Sequence, residues 1–369
     1  MKNLLLASTA LVAFAGAAAA EVAISGSGRL GMVYDNSIVN TGFETTIPGV
    51  TSRKVADSGF KFSSRIRVQF TLTSETDAGV SFGASIRADN AASGEKGQAG
   101  SVFMSGAFGK LSMGDVDGAA ESAVGNLSGV GYTGLGDLNE ARYWQQENSD
   151  LDSPGDKTNL FALPAATYQY TTGPASFYFS LGNPAGVKVV TNVFNVAGVS
   201  AVKDIVVDRA VAVGAKYSVD NYSVGFGYES TDVSGIRCAA TPAAPNDCDA
   251  SKPGRTKFTG SLDNWIIGGS ATFGGFTAKA QYGEGSGVGI DLTQYGISAD
   301  YTFDAFTVTA FWASKEEKTP NDPTKDTTQP FGLGVKYDLG GGASVSAGAV
   351  DPDVKGEDYR ADVGVNFSF

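Results

Sequence analysis

The 369-residue sequence contains no histidine. Chemistry that activates a serine or a water through an imidazole base is therefore excluded. Acid pairs alone serve glycoside hydrolysis in other proteins, but no such pair stands out here, and the sequence is read as a non-enzyme. Basic residues are scarce: 27 Lys and Arg stand against 39 Asp and Glu, for a formal net charge of −12. Such an acidic chain lacks the basic footprint that a nucleic-acid partner requires. Only two cysteines occur, Cys238 and Cys248. Beyond the N-terminus no apolar run is long enough to cross a bilayer as a helix.

The one long apolar run lies at the start. Met1-Lys2-Asn3 carries a positive charge, Leu4 to about Ala15 is apolar, and Ala18-Ala19-Ala20 precedes Glu21. This is the layout of a secretory signal peptide over residues 1–20, cleaved after Ala20; its apolar core is too short for a membrane anchor. For an exported bilayer protein without apolar helices, a closed β-barrel remains, because an open sheet edge in hydrocarbon leaves backbone groups unpaired.

What the chain does have is alternation. Glycine numbers 49, phenylalanine 22 and tyrosine 14, yet mean hydropathy is near zero, as expected when a lumen-facing half offsets a lipid-facing half. In Tyr359–Phe369, Tyr359, Ala361, Val363, Val365, Phe367 and Phe369 share one parity, while Arg360, Asp362, Gly364, Asn366 and Ser368 share the other. Gly59–Thr73 repeats this, with Phe60, Phe62, Ile66, Val68, Phe70 and Leu72 opposite Lys61, Arg65, Arg67 and Gln69. Side chains alternate faces along a strand, and about ten tilted residues of this kind cross a bilayer.

The pattern predicts an all-β, antiparallel transmembrane barrel of sixteen strands, a single domain over residues 21–369. The segments are about 22–34, 59–73, 80–89, 98–108 and 111–115, then 163–172 with 175–182, 206–219 with 221–231 and 262–273 with 276–283. The remainder are 293–303 with 306–314, 330–339 with 343–350, and the terminal 359–369. Seven short turns, one of them at Gly109-Lys110, alternate with eight longer polar segments, including 284–292 and 315–329. Short periplasmic turns and long extracellular loops are the outer-membrane pattern.

A barrel of this size encloses an aqueous channel, and selectivity requires a restriction. The longest loop, 116–162, is rich in acids, among them Asp117, Glu121, Asp137 and Glu140, with Asp115 at its root. Arg29, Lys61, Arg65, Arg67 and Arg87 occupy the inward parity of the first three strands, since facing lipid would cost about 2–4 kcal/mol each near the midplane. Read alone, the loop either folds inward, setting up a transverse field, or stays outside as an exposed loop. Outward aromatics such as Tyr34, Trp265, Tyr282, Tyr295, Trp312 and Tyr337 fit interfacial girdles. The bare outer faces at Gly26, Gly28 and Gly106 are candidate subunit contacts.

Phe108-Gly-Lys-Leu-Ser-Met-Gly-Asp115, followed by Gly129-Val-Gly-Tyr-Thr-Gly-Leu-Gly-Asp-Leu-Asn-Glu140, resembles the general porins of α-proteobacteria, the Rhodobacter- and Paracoccus-type trimeric porins. The start at Glu21–Arg29 and the terminal Phe369 extend the likeness along the mature chain. The resemblance implies an outer-membrane homotrimer for passive diffusion of small hydrophilic solutes and ions. It implies that the third loop folds inward to an eyelet, with loop acids opposite wall arginines and calcium bound there in some members. It further implies that Phe369 is a signal for the barrel-assembly machinery. Outer-membrane lipid and lipopolysaccharide are the expected surroundings. Cys238 and Cys248 share one loop in an oxidising compartment and are expected to form a disulfide; with no histidine a tetrahedral metal site is disfavoured. A solute-selective channel would show more inward aromatics than Phe103, Tyr178 and Phe311. An adhesive barrel is a further alternative on which loop sequence is silent.

Overall fold

Strands form where the period-two pattern runs, and they run further than the pattern suggests. The computed structural model describes residues 21–35, 59–89, 100–145, 165–182, 188–189, 202–237, 256–319, 322–354 and 357–369. β1 (Glu21–Asp35), β2 (Gly59–Glu75) and β3 (Ser81–Asp89) pair in sequence. β4 (Gly100–Gly106) and β5 (Gly109–Gly114) follow, then the single helical turn and a half of α1 (Ala119–Val124). β6 (Ala165–Thr172), β7 (Ala175–Gly182), the short β8 (Lys188–Val189), β9 (Val202–Val219) and β10 (Tyr222–Arg237) come next. β11 (Thr256–Phe273), β12 (Phe276–Gly287), β13 (Ile290–Phe303) and β14 (Phe306–Thr319) continue the meander. β15 (Asp322–Thr328), β16 (Phe331–Gly340), β17 (Ala343–Asp351) and β18 (Arg360–Ser368) complete it.

All eighteen belong to one sheet. β8 and β15 are appendages on β9 and β14, because β7 pairs directly with β9 and β14 directly with β16. Sixteen strands therefore make the wall, and β18 closes it on β1 from Ser27↔Ser368 to Tyr34↔Ala361. Phe369 extends the seam: its N–H donates to the Gly26 carbonyl at 3.0 Å and its carbonyl accepts from the Gly26 N–H at 2.7 Å. Closure removes the unpaired edge that hydrocarbon does not tolerate.

The outer wall is apolar and bare, with Phe62 92% and Phe60 73% exposed. Two aromatic bands bound it. Trp265, Tyr282, Tyr295 and Trp312 run ring to ring with centroids 5.6, 6.3 and 5.7 Å apart. Tyr301, Phe303, Phe306 and Tyr337 form the band beside the short turns. Rings at both water boundaries are what a bilayer selects. No helix among the described residues is long and apolar enough to cross a membrane.

Four sequence expectations change. Residues 315–319 and 322–328, expected within a long polar segment, are strand: β14 runs on to Thr319 and pairs with β15 from Lys315↔Thr328 to Thr319↔Asp322. Residues 284–292 are not a long loop: β12 and β13 run on to a two-residue turn at Val288-Gly289, with φ of +46° and +85°. Both central residues take the left-handed conformation of a tight hairpin turn, which Gly289 favours and Val288 does not. The β4–β5 turn is Ala107-Phe108, not Gly109-Lys110. Gly109 opens β5 at φ +103°, where a Cβ would lie 2.4 Å from the Gln169 carbonyl oxygen. Finally, the outer faces of Gly26, Gly28 and Gly106 are not bare, since the rings of Phe369, Phe367 and Phe108 lie over them. Residues 1–20, Lys157, Cys238 and Cys248 lie outside the described residues, as does the loop from 146 to 162.

Candidate functional site

The buried residues of this molecule are inside the barrel, beneath the segment that follows β5. The described residues of that segment, 115–145, stay in the lumen. The Thr167 hydroxyl on β6 donates to the Asp117 carbonyl at 2.7 Å, and the Gly118 N–H donates to the Gln145 carbonyl at 3.3 Å. The outgoing and returning arms thus lie side by side against β6 and β7.

From there α1 lies flat on β9 and β10. Gly214, Gly225 and Gly227 make this possible: a Cβ on each would fall 2.3 Å from the Ala119 carbonyl oxygen, 2.1 Å from that of Ala123 and 2.6 Å from the Ala120 Cα. Leu127 then crosses Gly296, and Ser128 is tied to β13 through its N–H to the Ser298 hydroxyl (2.9 Å) and its hydroxyl to Asp300 Oδ2 (2.6 Å). Val130 packs with Leu135, Phe311 and Val350 over the bare Gly332. At the tip, the N–H groups of Tyr132 and Thr133 donate to Asp362 Oδ1 and Oδ2 at 3.1 and 2.8 Å, and the Thr133 hydroxyl adds a third bond at 2.5 Å. Arg29 Nη1 donates to the Thr133 carbonyl at 3.3 Å.

The return arm is pinned as firmly. Asn139 Nδ2 donates to the Leu127 carbonyl at 2.7 Å, stitching the two arms together. Arg142 pairs with Glu317 at 2.7 Å, and its N–H donates to Gln294 Oε1 at 2.7 Å. Glu229, fully buried on β10, accepts the N–H of Trp144 at 2.8 Å, that of Gln145 at 3.0 Å and Asn264 Nδ2 at 2.9 Å. The loop is therefore a flattened hairpin glued to the inner wall from β7 round to β1. The wall of β2 to β5 faces its free edge across the remaining space.

That wall carries the arginines. Arg29 and Arg65 are directly opposite on β1 and β2. Arg67 lies one inward position along β2, and Arg87 on β3 pairs with Gln69, the next inward position. These four form one cluster, with Arg29 at its edge touching the loop tip. Lys61, paired with Val33, stands nearer the long-loop end and is exposed. Of the loop acids, Asp137 is exposed near the tip, with φ +52°. Glu140 is half-buried on the return arm, and Glu121 in α1 accepts Asn126 Nδ2 at 3.1 Å. Asp115 and Asp117 stand together at the loop root, where burial first, and the Asp115 charge second, raise the Asp117 carboxyl above its ordinary range. The acids are thus strung along the loop and not gathered opposite one arginine. Among the described residues no group of three or more His, Cys, Asp or Glu comes together to hold a metal.

Sequence reading missed the anchors. Glu229 and Asp362 are acids at inward positions, which alternation alone cannot distinguish from pore-lining charges. Phe311, expected to line the lumen, is buried under Val130. Phe103 does face inward, with Lys110 Nζ 4.9 Å from its ring centroid.

Comparison with known proteins places these features in context. A family model described as Gram-negative porin matches residues 7–356. The chain is 31% identical to a porin of Rhodobacter capsulatus, over 95% of this chain and 100% of that protein. It is 28% identical to a porin of Fuscovulum blasticum, over 77% of this chain and 90% of that one. A solved porin structure superposes with a TM-score of 0.66 at 30% identity, covering 95% of this chain and 100% of its own.

Proposed function

The chain belongs to the Gram-negative porins, and we propose that its selectivity arises between the inward loop and the arginine wall of β1 to β3. As a member of that family it is an outer-membrane β-barrel that serves as a general diffusion channel for small hydrophilic solutes and ions, and the family's fold is that of a channel and not of an enzyme. The observation that carries the proposal is one of placement. The loop covers the wall from β7 to β1, so solutes pass between its edge and the wall bearing Arg65, Arg67 and Arg87. Loop acids Asp115, Asp117, Glu121, Asp137 and Glu140, facing Arg29, Lys61, Arg65, Arg67 and Arg87, would orient dipolar solutes and weight ions by sign, as charged linings do in pores generally. The working assembly in this reading is a homotrimer in lipid and lipopolysaccharide. Phe369 acts as the assembly signal, and Cys238 and Cys248 form a disulfide in an external loop.

Recording from the refolded mature chain in a planar bilayer across a KCl gradient tests this. Stable conductance steps that close in thirds under voltage, with a reversal potential moved by substitutions at Arg65 or Arg67, are expected. A demonstrably inserted barrel whose reversal potential ignores those substitutions would remove the arginine wall from the account.

A further inference from the structure

Beneath the C-terminal end of α1, on the short-turn side of the loop, the structure holds a second polar feature. A cavity of about 200 Å³ lies between loop residues 123–127 and the wall of β9 to β12. Its floor is Gly225 and Gly268, which pair directly and leave the wall without side chains. One row nearer the turns, Ser223 and Ser270 pair across β10 and β11 with hydroxyl oxygens 2.8 Å apart. Lys279 pairs with Ser270 on one flank, and Lys216 pairs with Gly225 on the other. Both lysines line the cavity.

Lys279 Nζ donates to the Asn126 carbonyl at 3.4 Å, a long bond that uses one of its three donors. The carboxylate of the neighbouring strand, Asp300, does not line the cavity and is engaged by the hydroxyls of Ser128 and Thr309, each at 2.6 Å. The Ala123 carbonyl and the Val124 side chain rest on Gly225 and Gly268, and beside them the cavity gathers two ammonium groups and two hydroxyls, a donor-rich set for an anion. Its volume holds one tetrahedral oxyanion together with several waters.

We propose that this niche is an oxyanion subsite, held by Lys216, Lys279, Ser223 and Ser270, that takes a phosphate-like dianion from solution in the lumen. It deepens the channel reading, on which it rests, by giving the short-turn side of the loop a place where a class of solute pauses. It is separate from the arginine wall, which lies across the lumen on β1 to β3.

The test is equilibrium binding of inorganic phosphate to the detergent-solubilised full chain at low salt, followed by phosphorus NMR or dialysis. Saturable binding is expected. Lys216→Gln with Lys279→Gln should weaken it roughly tenfold or more, the loss expected for charge-assisted bonds. Lys216→Arg with Lys279→Arg should retain it, and Lys318→Gln at the outer rim should leave it unchanged. Absence of saturable binding, or binding unchanged in the double Gln variant, overturns the proposal. A chain that conducts KCl but binds no phosphate sinks the subsite and leaves the channel reading standing. Binding that depends on both lysines in a chain that does not conduct would support the subsite while sinking the channel reading.

Discussion

Replacing Glu229 should loosen the return arm of the loop without opening the barrel. The side chain is fully buried and accepts the consecutive N–H groups of Trp144 and Gln145, at 2.8 and 3.0 Å, together with Asn264 Nδ2 at 2.9 Å. A hydrogen bond to a charged group contributes about 1.5–3 kcal/mol. Two such bonds hold the loop itself, so Glu229→Ala should remove about 3 kcal/mol of docking energy even at the low end of that range. That corresponds to roughly 150-fold in the ratio of docked to undocked arm. Asp362 and the Arg142–Glu317 pair still hold the tip and middle, so the arm frays and the loop is not lost. The assay is single-channel current in KCl, with far-UV circular dichroism and heat-modifiable gel mobility as checks that the barrel has assembled. Added open-channel noise and new subconductance levels are expected. Glu229→Gln should fall between, because its amide keeps one acceptor oxygen and turns an N–H donor on the other N–H. An assembled Glu229→Ala barrel as quiet as the parent, with the same conductance, would refute the claim that this carboxylate holds the loop.

Asp362→Ala removes three bonds at the loop tip and should raise noise as well; combined with Glu229→Ala, the two should exceed either alone in single-channel records. Arg65→Glu or Arg67→Glu should move the zero-current potential toward cations by far more than Lys318→Glu at the outer rim, because charges beyond about 8–10 Å are screened at moderate salt; equal shifts would sink the wall assignment. Asp117, with its carboxyl raised by burial and by Asp115, takes up its proton on acidification before an ordinary aspartate. Selectivity should therefore begin to shift toward anions above the usual aspartate range, and Asp117→Asn should abolish that first phase of the pH titration of reversal potential. Gly225→Val places bulk where even a Cβ lies 2.1 Å from the Ala123 carbonyl oxygen; α1 should lift from the wall, and solute-exclusion measurements should show a changed cutoff in a barrel that still assembles.

The wall was legible from sequence and the loop's path was not. Alternation in β2 and β18 assigns each side chain to lipid or lumen because lipid makes the wrong parity costly, and the same constraint excludes odd shifts of β1 on β18 without fixing their register. The arginine cluster was readable for that reason. Most short turns were readable from glycine or asparagine, as at Asp220-Asn221; at Val288-Gly289 the several glycines of 283–289 read as a longer loop, because Val288 is not a residue expected in the left-handed conformation. The loop's docking depends on contacts distant in sequence, such as Thr133 with Asp362 and Trp144 with Glu229. No local pattern distinguishes an acid that grips two backbone N–H groups from one that faces water. The glycines at 214, 225 and 227 were a partial signal, since three inward glycines on adjacent strands make a flat bed, though a bed does not say what lies on it.

The clamps that hold the loop also impose an order in time. Its residues come early in the chain, yet the tip is held by Asp362, 230 positions later, and by Arg29, 104 positions earlier. Those two partners become neighbours only when the last strand has zipped onto the first. Contacts between distant parts of a chain form late, because the intervening segment must be closed first. The loop tip therefore docks as a final act of assembly. Before it does, the nearly finished barrel is a wider hole than the mature channel. A cell that inserts this protein must either complete the last zippering quickly or tolerate, for that interval, a leak that the finished molecule no longer has.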